Sequence, residues 1–151
     1  HAWVAYTGRR VSTPLPGVLV PRLAQRVLPL AAWRARDERD TRPLSSLKGR
    51  RLTALAGIGA PQQFFDTLEA EGLEIVRLPQ RDHAHYAEPP WTADTLEVVT
   101  TEKDAVKLSA LPRLDATVWV LPLDCTLPDA LLRDLLALLP PTKASAEEPP
   151  Q

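Results

Sequence analysis

Apolar residues along this chain fall into short continuous runs that alternate with stretches of helical spacing, and the alternation is clearest between residues 51 and 139. The segments "LTALA" (52–56), "LEIVRL" (73–78), "LEVVT" (96–100) and "ATVWVLPL" (116–123) are too short for amphipathic helices and predict four strands. After the first strand, "APQQFFDTLEAEG" sets Phe64, Phe65 and Leu68 on one helical face. Pro61 suits the first turn of that helix and Gly72 its C-terminal cap. Thr101 followed by Glu102, Lys103 and Asp104 resembles a capping box with Asp104 in place of the usual Glu, and predicts a helix to about Leu111. A last helix, "LPDALLRDLLALL" (127–139), opens on Pro128 and Asp129. Strand and helix in alternation predict an α/β fold, a Rossmann-like parallel sheet flanked by helices.

The first fifty residues lack that regularity. Residues 3–12, "WVAYTGRRVS", read as an N-terminal β-hairpin about Thr7 and Gly8. The stretch at 14–33 is apolar but broken by prolines, and predicts one short helix, Arg22 to Leu28. Its arginines lie beside Leu and Val, which suits either contact with a membrane surface or packing against another domain. Residues 34–50 read as a charged, turn-rich linker. The expected organisation is therefore a linker segment over 1–50, a Rossmann-like domain over 51–139 and a disordered tail over 140–151.

Composition narrows the class. A hydrophobic content of 44% with 25% charged residues is that of a globular protein, while 16 prolines call for long loops. The net charge of −1 conceals an asymmetry, because residues 1–51 hold 11 Lys/Arg against 3 Asp/Glu. Such a basic segment favours an anionic partner, whether lipid headgroup, phosphorylated sugar or nucleic acid, unless it pairs with the acidic remainder of the chain. The single cysteine, Cys125, excludes an internal disulfide and is compatible with a reducing cytosol; no Cys/His cluster suggests zinc. Prolines and arginines interrupt every apolar run before it reaches the roughly 18 residues that span a bilayer. A chain that opens on His1 and contains no methionine is expected to begin inside a longer protein.

Ligands of parallel α/β sheets sit beyond the carboxyl ends of the strands. Three segments fall on that edge: the Gly57-Ile58-Gly59 turn, the proline-containing loop at 79–91 that carries "DHAHY", and Thr100 to Asp104. The Gly57 turn begins like a dinucleotide fingerprint, but Gln62 replaces the third glycine and no acid ends the second strand, so packing alone accounts for it as well as weak phosphate contact does. No GxxxxGK[ST] loop occurs. Asp82, His83 and His85 read three ways: as metal ligands lacking a further cluster to complete the set, as a proton-transfer pair in which Asp82 orients His83, or as a solvated loop. Thr101, Lys103 and Asp104 offer a hydroxyl, a cation and an acid to a substrate phosphate, or else a capped helix start with a surface pair to Lys107.

Taken together and in order, "LTALAGIGAPQQFFDTLEAEGLEIV", "DHAHY", "VVTTEKDAVKL" and "VWVLPLD" resemble the C-terminal part of the tetraacyldisaccharide 4'-kinases, the lipid A 4'-kinases of Gram-negative bacteria, over about Arg42 to Leu139. The resemblance implies a kinase that uses ATP and Mg²⁺, bound mainly by an N-terminal P-loop domain absent from this chain, with a β-ribbon linker between the domains. It implies transfer to the 4'-hydroxyl of the lipid A disaccharide precursor at the cytoplasmic face of the inner membrane, and no nucleic-acid partner. The histidine of the family's Asp-His pair works with an acid of the first domain on the sugar hydroxyl. That role falls here on His83, with Asp82 orienting it; Gly57, Gly59, Thr101, Lys103 and Asp104 remain candidates for substrate or phosphate contact, and no metal ligand is implied in this chain. Two departures, Gln80 in place of an apolar residue and Ala60 in place of Asn or His, bear on loop geometry. A non-catalytic Rossmann-like binding module and a metal-dependent hydrolase are the competing expectations.

Overall fold

The computed structural model describes residues 4–7, 13–20, 22–82 and 84–139. The elements run β1 (Ala5–Tyr6), β2 (Val18–Leu19), β3 (Arg22–Leu23), β4 (Arg26–Pro29), α1 (Leu30–Ala35), β5 (Arg42–Pro43), β6 (Leu52–Ala56), α2 (Pro61–Ala70), β7 (Ile75–Pro79), β8 (Glu97–Thr101), α3 (Glu102–Leu108), β9 (Thr117–Leu121), β10 (Asp124–Cys125) and α4 (Asp129–Ala137). The described residues fall into two compact units, Leu23–Asp124 and the chain ends that flank it in the sequence.

The larger unit holds a six-stranded sheet in the order β5-β4-β9-β8-β6-β7. Strands β9, β8, β6 and β7 are parallel, and β4 joins the β9 edge antiparallel, pairing Leu28 with Val120. Period-two alternation decides which helix covers which face. Leu52, Ala54 and Ala56 of β6, Val99 of β8 and Trp119 and Leu121 of β9 pack with Phe64, Phe65 and Leu68 of α2. Leu55, Val98 and Val118 point the other way and pack with Leu108 of α3. Burying strands on both faces is what continuous apolar runs permit, and complete burial of Phe65 alone contributes about 2–3 kcal/mol.

The four predicted strands and three predicted helices of residues 51–139 are present, with ends shifted by up to three residues. Helix α2 ends as its sequence signals: Gly72 takes φ +81° and the Leu73 N–H donates to Leu68 O at 3.2 Å.

The region before residue 51 differs from expectation. Arg22 to Leu28 is extended, not helical: Val27 and Leu28 are buried in the sheet, and among the described residues of this stretch the helix starts after Pro29. Proline lacks an N–H and so begins a helix more readily than it is crossed by one, which moves the helix to α1. The segment read as a linker adds β5 and two 3₁₀ turns, Glu38–Asp40 and Leu44–Leu47, and it inserts Leu44 and Leu47 into the core. Arg42 and Arg50 lie over the Trp119 ring, 5.1 and 5.9 Å from its centre.

In the smaller unit β1 pairs with β2 in parallel, Ala5 with Val18. The Tyr6 hydroxyl meets Thr13 Oγ1 at 2.6 Å and donates to Leu15 O at 2.7 Å. Gly17 is required there, since a Cβ would lie 2.5 Å from Val4 O. Of the hairpin expected over 3–12, residues 3 and 8–12 lie outside the described residues, as does the tail from 140. Among the described residues no helix is long and apolar enough to cross a membrane.

Candidate functional site

Because β6 leads to β7 on one side and the chain then returns to β8 on the other, the sheet has its topological switch point between β6 and β8. The crevice beyond their carboxyl ends is where such folds place ligands. Gly57 follows β6 and Thr101 ends β8, so the two turns singled out in the sequence face each other there.

The crevice is organised by a buried carboxylate. Asp104 is fully buried, and its Oδ2 accepts from the Gly57 N–H at 2.8 Å and from the Thr101 hydroxyl at 2.9 Å. Its Oδ1 accepts from the Tyr86 hydroxyl at 3.0 Å and from Lys107 Nζ at 3.1 Å. Burial works to raise this carboxyl's pKa; the Gly57 N–H, then Thr101, Lys107 and Tyr86, outweigh it and hold the group below its ordinary value. Burial, the neighbouring Asp104 charge and the bond donated to it push the Tyr86 phenol well above its ordinary value, so it stays a donor. Gly57 must be glycine, because a Cβ would stand 2.8 Å from Asp104 Oδ1 and 3.1 Å from the Tyr86 hydroxyl.

This arrangement refines the capping box. Thr101 caps α3 as expected, accepting from the Asp104 N–H at 3.3 Å. The shorter Asp side chain turns across to Gly57 and Tyr86, and the Asp104–Lys107 pair is buried on the acid's side instead of lying on the surface. The Gly57 N–H that a dinucleotide fold would aim at phosphate is thus already donated to an internal acid.

Asp82 and Lys103 lie on the open side of the same edge. Lys103 Nζ pairs with Asp82 Oδ1, the two side chains being 44% and 41% exposed. Gly59 borders them, its Cβ position 3.9 Å from Asp82 Oδ2. His83 lies outside the described residues, and His85 is exposed. Among the described residues no group of three His, Cys, Asp or Glu side chains gathers as for a metal ion. Sequence reasoning missed Tyr86, the last residue of the polar loop, and the inward role of Lys107; the Asp104–Lys107 spacing of one helical turn was the available signal. An open apolar cleft of about 610 Å³ between α1 and the end of α3, bordered by Leu30, Arg34, Leu108 and Leu111, lies away from this edge.

Fold and site together define an α/β domain with a mixed, mostly parallel sheet, whose ligand edge is held by a buried carboxylate and presents an exposed Asp–Lys pair. Residues 12–140 match the family described as Tetraacyldisaccharide-1-P 4'-kinase, and the chain belongs to that family. It is 39% identical over 150 residues to the tetraacyldisaccharide 4'-kinase of Methylibium petroleiphilum, covering 97% of this chain and 42% of that protein. The enzyme of the same name from Leptothrix cholodnii is 43% identical over 143 residues (91% and 40%), and that of Chromobacterium violaceum 38% over 140 (90% and 41%). The chain spans about two fifths of the length of these curated relatives. No solved structure matches it.

Proposed function

We propose that this chain is the C-terminal part of an ATP-dependent tetraacyldisaccharide 4'-kinase, which phosphorylates the 4'-hydroxyl of a tetraacyldisaccharide 1-phosphate in lipid A biosynthesis. The family match over residues 12–140 carries the reading. It is supported by Asp82 standing on the sheet's ligand edge beside Gly59 and Lys103.

The described residues do not fit a nucleotide: the Gly57 N–H is taken by Asp104, and the sequence has no GxxxxGK[ST] loop. ATP and Mg²⁺ fall instead to an N-terminal P-loop domain of the same protein, which is also this domain's partner. What this chain contributes is half of a proton-transfer arrangement. Asp82 steadies the imidazole of His83, and the imidazole takes the proton of the acceptor hydroxyl as that oxygen becomes the nucleophile. Lys103, exposed at the same edge, supplies positive charge to the anionic acceptor. The basic first fifty residues suit peripheral attachment at the cytoplasmic face of the inner membrane, next to an anionic lipid substrate.

The test is turnover of the full-length kinase carrying His83→Ala. A fall in kcat of about 10² to 10⁴-fold with KM for ATP unchanged is the expected outcome; undiminished transfer to the disaccharide would refute the assignment.

A further inference from the structure

The loop that carries Asp82 is fastened at two points. At its start the Gln80 N–H donates to Ala56 O at 2.8 Å, and just beyond it the Ala84 N–H closes a turn onto Arg81 O at 3.0 Å. At its far end Tyr86 sends its hydroxyl to Asp104, while its ring packs against the cluster of Leu55, Val98 and Leu108. Lys107 Nζ sits 5.4 Å from the centre of that ring. Asp104 is itself immobile, being fully buried and bonded to the ends of both β6 and β8.

We propose that Tyr86 is a positioning residue for the Asp82–His83 pair, acting through its hydrogen bond to the buried Asp104 carboxylate. The proposal rests on the reading of that pair as part of a kinase site. Phenylalanine would satisfy the packing equally well, and Asp104 would keep three other donors without the phenol. What the hydroxyl adds is direction: a charge-assisted bond at one fixed angle, in a space bounded by Gly57, that holds the far end of the loop against α3. Displacement of a reacting group by about 1 Å is enough to cost roughly 10²-fold in rate.

The experiment uses the full-length kinase with ATP and the tetraacyldisaccharide 1-phosphate. Tyr86→Phe is expected to lower kcat about tenfold with KM for ATP unchanged and the fold retained, the melting temperature falling only by the few degrees that one lost bond to a charged group costs. The decisive arm is the double variant: in a His83→Ala background, Tyr86→Phe should cause no further loss, because it acts only through that pair. Wild-type kcat for Tyr86→Phe, or the same tenfold loss repeated in the His83→Ala background, overturns the proposal. Full activity of His83→Ala alone removes the underlying reading of the pair, and this inference with it.

Discussion

Two aspartate–lysine pairs lie at one edge of the sheet and do opposite work. Asp104 and Lys107 meet inside, where the acid has no exposure and four donors; Asp82 and Lys103 meet outside, each side chain more than two fifths exposed. Lys103 and Asp104 are sequence neighbours, so a single turn of α3 serves both. An inward carboxylate has lost its water and must be fully satisfied by protein, which makes it a rigid joint. An outward pair keeps its water, is screened by salt and exchanges partners at little cost. The difference separates what builds the site from what is available to a substrate.

The contrast can be broken most severely at Asp104. Urea unfolding followed by tryptophan emission should show Asp104→Asn destabilised by about 3 kcal/mol at pH 7, since it leaves Lys107 and the Gly57 N–H poorly matched. The folded-state pKa of Asp104 is depressed, so its stabilisation is complete above the unfolded carboxyl pKa and is lost as pH falls from there towards the folded value. The gap between wild type and Asp104→Asn should therefore narrow below about pH 4. Gly57→Ala comes next: the methyl group pushes on Asp104 and Tyr86 together, at a cost of about 2 kcal/mol in the same assay. Smallest is Lys103→Met, expected to change stability by less than about 1 kcal/mol in the same assay, a change that shrinks further as salt is raised.

Much of this division was legible in the sequence. Continuous apolar runs and helical stretches marked four strands and three helices, because residues buried on both faces leave no other pattern, and the order of the segments placed Gly57, Asp82 and Thr101 on one edge. Less legible was the direction of Asp104. In "TEKDAVK" three charges in a row read as solvated surface, and only the register of α3 against β6 turns one of them inward. Strand β4 was hidden for another reason: Arg22 and Arg26 at helical spacing imitate an amphipathic helix, whereas the residue that claims Leu28 for the sheet is Val120 of β9, at the other end of the domain. Local propensity gives way when a distant partner offers a buried ladder.

That pairing of Leu28 with Val120 also sets an order of events during synthesis. Strand β4 leaves the ribosome long before β9 exists: Val27 finds its partner Arg42 in β5 soon after, but Leu28 must wait for nearly the whole domain to be made. Pro29, the last residue of the strand, cannot donate to a ladder and so blunts it as a template for a second nascent chain. The proline that makes this stretch look irregular thus guards the half of the strand whose partner is made last.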